Sequence, residues 1–247
     1  MPQKSVSHLL ATDLDGTFVG EGEELRKLLL HFESLEENVT LVYVTGRHLQ
    51  SAKQLIDEEG LPFPEVLITD VGSALHDFSD SEIGNEWKAK IEEGWEPERV
   101  RAAARQIEGL REQELPVSCR VSFFAEDHTC AEELEKALRS SRIPHQFVYS
   151  SGRDVDILPL QAGKGKALSY LIQKKKWQDA NVLIAGDSGN DLDMLLLPYP
   201  AVIVGNCQEE LKNVSGDLIY RAKGHCAAGI LEGWKHYFSR TDTRLAK

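Results

Sequence analysis

The chain has 247 residues, 40 of them acidic and 28 basic, so its formal charge is −12. At about 150 residues per domain this is material for one or two domains, and 41% apolar with 28% charged residues is globular rather than disordered composition. The acidic balance argues against binding nucleic acid or anionic membranes, which needs a basic face, so an anionic substrate must be captured by a few local cations or a metal.

No run approaches the ~18 apolar residues of a membrane span. The opening MPQKSVSHLLATDLDG carries only a short apolar run, cut at once by acidic residues, and does not read as a signal peptide. Residues 8–14 (HLLATDL) predict a buried strand ending at Asp13. Residues 23–35 repeat apolar positions at helical spacing, and 39–45 (VTLVYVT) is a β-branched strand. The stretch 47–59 is helical in pattern and stops at Gly60, and 65–72 (EVLITDVG) is another strand. This alternation predicts a parallel sheet with helices on both faces. Residues 82–115 are charge-rich and helical, followed by a strand at 117–124, a helix at 130–141 and two strands within 145–159 around Ser150–Ser151–Gly152. They read as a small α/β unit inserted into the sheet domain; the alternative is a continuation of the same sheet. After residue 160 the first pattern returns: a helix at 163–177, a strand at 181–187, a helical turn at 192–197, strands at 201–205 and 217–222, and a closing helix at 225–238. The tail TDTRLAK is polar and expected to fray. The expected division is a core of 1–81 with 161–247 and an insertion of 82–160. Cys119, Cys130, Cys207 and Cys226 are scattered without metal-like pairing and read as free thiols of a cytoplasmic protein.

Four short motifs carry chemistry. Asp13-Leu14-Asp15-Gly16-Thr17 follows a buried strand, at the edge where open α/β sheets bind ligands. A spacing of two in extended backbone points both carboxylates the same way, and their repulsion is tolerated where a cation sits between them; hard oxygen ligands suit Mg²⁺. Alone, the pair could be a strand-end turn. Gly186-Asp187-Ser188-Gly189-Asn190-Asp191 also ends a buried strand and brings Asp187 and Asp191 to the same edge if the two strands are neighbours. Thr45-Gly46-Arg47 opens a helix, where a hydroxyl and free N–H groups form an anion site, although Thr45 could equally cap that helix. Gly163-Lys164-Gly165-Lys166 starts another helix; Lys164 adds a positive charge there or is an ordinary solvated lysine.

These four motifs, in this order, resemble those of the haloacid dehalogenase superfamily of phosphotransferases. The resemblance implies an α/β fold with a Rossmann-like parallel-sheet core and a smaller inserted α/β cap of the C2 type. It implies Asp13 as nucleophile forming an aspartyl-phosphate, and Asp15 as general acid and then general base. Thr45, the Gly46 backbone and Lys164 would hold the phosphoryl oxygens, with Asn190 close to the phosphate. Mg²⁺ would be bound by Asp13, the Asp15 carbonyl and Asp187, with Asp191 supporting them. An acid two residues after the nucleophile suits a phosphatase, because it can protonate a poor alkoxide leaving group.

Tyr149 to Pro159 (YSSGRDVDILP), with VTGR at 44–47 and VGS at 71–73, resembles the sucrose-phosphate phosphatase family. Arg153 stands where that family has lysine. The resemblance implies a substrate-binding set of Arg47, Ser151, Arg153, Asp154 and Asp156 beside Thr45, Gly46, Lys164 and Asn190. Sucrose 6-phosphate is the first expectation; mannosylfructose phosphate, mannosyl-3-phosphoglycerate and phosphoglycolate are alternatives, and a non-catalytic sugar-phosphate-binding protein is a distant one. The expected partner is thus a small-molecule sugar phosphate, with a monomeric state and a sugar-phosphate synthase as a conceivable associate. Trp87 and Trp95 could stack on a sugar but read as core, and His48, His76 and His225 lack metal-like spacing.

Overall fold

The computed structural model describes residues 6–239, and the TDTRLAK tail expected to fray lies outside the described residues. The chain begins with β1 (His8–Thr12), α1 (Gly22–Glu33), β2 (Val39–Val44), α2 (Leu49–Glu58), β3 (Val66–Thr69), β4 (Ala74–Asp77) and α3 (Ser81–Glu92). It continues with α4 (Pro97–Ala104), β5 (Leu110–Glu112), β6 (Val121–Ala125), α5 (His128–Ser140), β7 (Gln146–Ser150) and β8 (Asp154–Leu158). Then follow α6 (Lys164–Lys175), β9 (Asn181–Gly186), α7 (Leu192–Leu195), β10 (Ala201–Ile203), β11 (Ile219–Arg221) and α8 (Cys226–Phe238).

Seven strands form one sheet in the order β11-β10-β9-β1-β2-β3-β4. Strand β1 is buried from Leu9 onward, because helices cover both faces of the sheet and the usual in–out polarity alternation is lost. Its side chains still alternate between two cores. Leu9 and Ala11 join Val42, Val44 and Ile68 under α3, α6 and α7, while Leu10 joins Tyr43 and Leu67 under α1, α2 and α8. Leu28 and Phe32 of α1, Leu55 and Ile56 of α2, and Trp234 of α8 fill that second layer. The two-faced α/β architecture is therefore the one the alternating pattern predicts.

Two stretches depart from expectation. The strand read over 65–72 ends at Thr69, because Asp70, Val71 and Gly72 take φ of +56°, +55° and +89° and turn the chain back. The returning strand β4 pairs antiparallel with β3, so one sheet edge is not parallel. The helical reading of 82–115 resolves into α3, α4 and the short strand β5. Strands β5-β6-β8-β7 form a separate antiparallel sheet, so the insertion does not continue the first sheet. Its core packs Val100, Phe123, Leu134, Leu138 and Val155 together. Helix α3 belongs elsewhere: Ile83, Trp87 and Ile91 pack in the layer on the seven-stranded sheet. All four cysteines are unpaired, and no helix among the described residues is long and apolar enough to cross a membrane.

Candidate active site

Strands β2, β1 and β9 are adjacent and parallel, so the segments leaving their C-terminal ends meet at one edge. The chain moves from β1 outward to β2 on one side and enters through β9 on the other, and ligands of open α/β sheets bind at such a switch point. The four motifs converge there. The Asp13 carboxylate is buried just beyond β1. Lys164, at the start of α6, is 0% exposed, and its Nζ donates to Asp13 Oδ1 at 2.7 Å and to Asp191 Oδ1 at 2.6 Å. It is therefore no solvated lysine. Asp191 Oδ2 accepts the backbone N–H groups of Asp187 and Ser188 at 2.9 and 3.0 Å. The Thr17 hydroxyl donates to Asp187 Oδ1 at 2.8 Å. Gly16 is needed between them: its φ is +75°, and a Cβ there would lie 2.8 Å from Asp187 Oδ2.

The electrostatics follow from crowding three acids around one ammonium. Asp13 is held well above the ordinary carboxylate range, first by burial, with Lys164 opposing and Asp191 and Asp187 adding to the rise. Burial, then Asp191, push Asp187 up to about 6. Burial alone would drive Lys164 down, but the Asp13 and Asp191 carboxylates outweigh it and hold its pKa above the usual lysine value. Oxygens of Asp13, Asp187 and Asp191 lie within 4.8 Å of one another. Both Asp191 oxygens are satisfied within the protein, whereas Asp13 Oδ2 and Asp187 Oδ2 accept no hydrogen bond among the described residues. Two hard oxygens without a donor, in a cluster with excess negative charge, fit a divalent cation such as Mg²⁺.

Asp15 does not share this cluster. Its side chain is 51% exposed and accepts two hydrogen bonds from Arg47, each at 2.7 Å. The two carboxylates of the first motif thus part company, because β1 ends at Thr12 and both sit on the turn beyond it. Arg47 is committed to Asp15 and, at 2.9 Å, to the Ser51 hydroxyl. Its N–H donates to Thr45 Oγ1 at 3.1 Å, so the Thr45 side chain serves the loop as well as facing its end. Among the described residues the Gly46 N–H finds no acceptor and the buried Asn190 Oδ1 has no partner.

Gly46 and Asn190 line a cleft of about 400 Å³ whose far wall carries Ser150, Ser151, Asp154 and Asp156 of the small sheet. Arg153 is not in that lining; its side chain is 60% exposed and lies over the Phe124 ring at 4.4 Å. A larger cavity, about 910 Å³, lies beyond Asp70 between α2, β4 and α3, away from the Asp13, Asp187 and Asp191 carboxylates. Trp87 is core, its Nε1 donating to Gly72 O at 3.0 Å, and Trp95 packs with the small sheet. His48 caps α2 and His76 meets Thr69. Two residues carried no sequence signal. Asn206 donates to Gly16 O at 2.7 Å and steadies the first motif, and Arg120 enters the cleft wall from the small sheet.

A parallel sheet ending in a buried Lys–Asp cluster, with a second sheet over the cleft, is a fold shared with known haloacid dehalogenase-like hydrolase structures. The family model for sucrose-6F-phosphate phosphohydrolase matches residues 6–238, and the chain belongs to that family. It is accordingly a phosphatase of phosphate monoesters. The mannosylfructose-phosphate phosphatase of Agrobacterium fabrum is 32% identical over 93% of this chain and 96% of its own length. Sucrose-phosphatase 1 of Nicotiana tabacum is 31% identical, over 93% of this chain and 59% of that longer protein. The sucrose-phosphatase of Synechocystis sp. PCC6803, solved with sucrose and phosphate, superposes with a TM-score of 0.87 at 32% identity, covering 94% of this chain and 98% of its own.

Proposed function

We propose that the protein is a Mg²⁺-dependent phosphatase that releases inorganic phosphate from sucrose 6-phosphate, through an aspartyl-phosphate on Asp13. The observation that carries this reading is the fully buried Lys164 bridging Asp13 and Asp191, an ionic cluster that packed apolar residues would often match in stability, so that its presence points to chemistry rather than to folding. Bound Mg²⁺, held by Asp13, Asp187 and the Asp15 carbonyl, would supply the remaining charge neutralisation. The residues then act in sequence. Thr45 Oγ, the Gly46 N–H and Lys164 orient the phosphoryl oxygens, with Asn190 beside them. An Asp13 carboxylate oxygen bonds to phosphorus as the ester P–O bond breaks, and Asp15, released from Arg47 and protonated from solvent, gives that proton to the leaving sugar oxygen. Asp15 then takes a proton from water, whose oxygen bonds to phosphorus, freeing phosphate and restoring Asp13.

Sucrose is supported by the sugar-sized cleft with its hydroxyl and carboxylate wall and by the similarity to an enzyme solved with sucrose and phosphate. Hydroxyl-rich ligands need such paired donors and acceptors, and a site that leaves them unpaired rejects the wrong sugar. We read residues 93–160, after α3, as the unit that selects the leaving group, with Ser151, Asp154 and Asp156 as its contacts. Mannosylfructose phosphate is a second reading, favoured by the relative matched over nearly its whole length. Phosphate release from a panel of sucrose 6-phosphate, mannosylfructose phosphate, mannosyl-3-phosphoglycerate and phosphoglycolate tests both. The highest kcat/KM is expected for sucrose 6-phosphate, and its absence from the turned-over esters defeats the first reading. Asp13→Asn should fold and release no phosphate from any of them.

A further inference from the structure

Arg120 stands immediately before β6 and belongs to none of the four motifs. Its side chain is only 5% exposed, and it reaches from the small sheet into the loops of the large one. Nη1 donates to the Gly46 carbonyl at 2.7 Å, Nη2 donates to Asp70 Oδ1 at 3.2 Å, and Nη1 lies 3.6 Å from Asp156 Oδ1. Asp156 sits on β8 of the small sheet and also accepts the Ser122 hydroxyl. One guanidinium therefore joins a carboxylate from each unit to a main-chain oxygen of the loop that carries Thr45. Buried charges persist only when paired and hydrogen-bonded in this way.

The carbonyl Arg120 holds is not an arbitrary one. Three successive carbonyls of the loop are pinned: Thr45 O by Val71 N at 3.2 Å, Gly46 O by Arg120, and Arg47 O by Asp70 N at 2.9 Å. Two of those donors belong to the left-handed turn at 70–72, where Val71 at φ +55° is strained. The Gly46 carbonyl shares its peptide plane with the Arg47 N–H, and that N–H donates to Thr45 Oγ1 at 3.1 Å. Fixing the carbonyl fixes the plane. The plane fixes which lone pair of the Thr45 hydroxyl is occupied, and so leaves its proton free to donate to a bound anion. Hydrogen bonds in series also polarise one another.

We propose that Arg120 is a positioning residue for phosphoryl binding: it holds the Gly46–Arg47 peptide, and through it the Thr45 hydroxyl, so that docking of the small-sheet unit completes the phosphoryl-binding loop. This rests on the proposed role of Thr45 and Gly46 as phosphoryl donors. It does not depend on which sugar leaves.

The test uses p-nitrophenyl phosphate, whose leaving group needs no sugar contacts, together with competitive inhibition by orthophosphate. Arg120→Met should lower kcat/KM for p-nitrophenyl phosphate at least tenfold and raise the orthophosphate inhibition constant by a similar factor. Arg120→Lys, which keeps a charge but not the two-nitrogen fork, should fall between it and the native chain, and it carries the test if Arg120→Met does not fold. On a Thr45→Ala background the Arg120→Lys change should have little further effect, because the pair acts in series. A folded Arg120→Lys protein with native kcat/KM and native orthophosphate inhibition overturns the proposal, even if its melting temperature drops. So does a loss confined to sugar phosphates, or full additivity with Thr45→Ala. If the native enzyme cleaves p-nitrophenyl phosphate but no sugar phosphate, the sugar reading fails while the Arg120 comparison stands. If p-nitrophenyl phosphate is not cleaved, orthophosphate affinity by calorimetry decides Arg120 on the same fold-change.

Discussion

Replacing Lys164 by methionine should expose the energetic tension of the site. The ammonium makes contacts of 2.7 and 2.6 Å to carboxylates whose side chains are 7% and 0% exposed. Methionine preserves length and apolar volume, so the main loss is charge. Removing one member of a buried ion pair costs about 3–5 kcal/mol, because the partner is left charged in a poor solvent. For a chain of this size that is a fall of about 6–20 °C in melting temperature. The sign of the pH dependence follows from the carboxylates. Asp13 and Asp187 already titrate above their usual range in the folded protein, and losing Lys164 raises them further. A carboxyl whose folded pKa exceeds its unfolded pKa binds its proton more tightly when folded, so stability is lost as pH rises. The deficit of Lys164→Met should therefore be small near pH 4 and grow as pH rises through about 6 and beyond. Urea denaturation of both proteins in chelator, from pH 4 to 8, measures it. Adding Asp13→Asn to Lys164→Met should recover part of the loss, since one stranded charge disappears. A variant as stable as the native chain at pH 7 refutes the reasoning, as does a deficit largest in acid.

Other outcomes follow from the same cluster. The move of Asp187 from 3.8 to about 6 corresponds to about 3 kcal/mol. Metal-free protein should lose roughly that much stability as pH rises through this window, and Mg²⁺ should restore it; a melting-temperature gain from Mg²⁺ as large at pH 4 as at pH 7.5 argues against binding at these carboxylates. Asp15→Asn should lower kcat/KM for the sugar phosphate by about 10²–10⁴, the usual contribution of a general acid, with a much smaller loss of kcat/KM on p-nitrophenyl phosphate, since this constant reports aspartyl-phosphate formation and not the hydrolysis common to both substrates. Equal losses of kcat/KM on the two substrates would show that Asp15 is not the proton donor to the leaving group.

The parts of this protein that were legible in its sequence are those where a local pattern forces a local structure. Buried runs such as 8–14 and 181–187 can only be covered strands, and acidic or glycine-rich stretches after them mark the ligand edge. Lys164 is the exception in the favourable direction: lysine is usually solvated, and only its place among four ordered motifs identified it. What was not legible depends on distant partners. Nothing in a strand-like VSCRVSFF marks Arg120 as the residue that reaches Gly46, 74 positions earlier. The turn at 70–72 hides because a β-branched valine rarely takes positive φ, so the apolar run reads as strand through it. Helix α3 follows the charge-rich composition of the insertion but packs by its apolar stripe of Ile83, Trp87 and Ile91, and composition is blind to which face it covers. Arg153 stands out in its motif, yet it lies on the turn before β8 and rests over the Phe124 ring, outside the cleft lining.

These unread features share a cause, and it bears on how the site works. The large sheet alone brings Asp13, Lys164, Asp187 and Asp191 together through neighbouring strands and one helix start, which is why short motifs suffice to announce them. The contacts of Arg120 are instead assembled across two units, because Asp70 belongs to the large-sheet unit and Asp156 to the small sheet. A cation shared between the units makes docking costly to leave half-made, because undocking strands Asp70 beside the strained turn. Burial already raises the pKa of the Asp70 carboxyl, with Arg120 opposing, so removing the guanidinium leaves that acid to pick up a proton or draw in water. On the proposed role of Thr45, chemistry and closure would be linked by charge: a phosphoryl group occupying the Thr45 loop would favour the state in which Arg120 holds that loop, and a small-sheet unit that cannot dock would leave the loop slack whatever sugar it recognises.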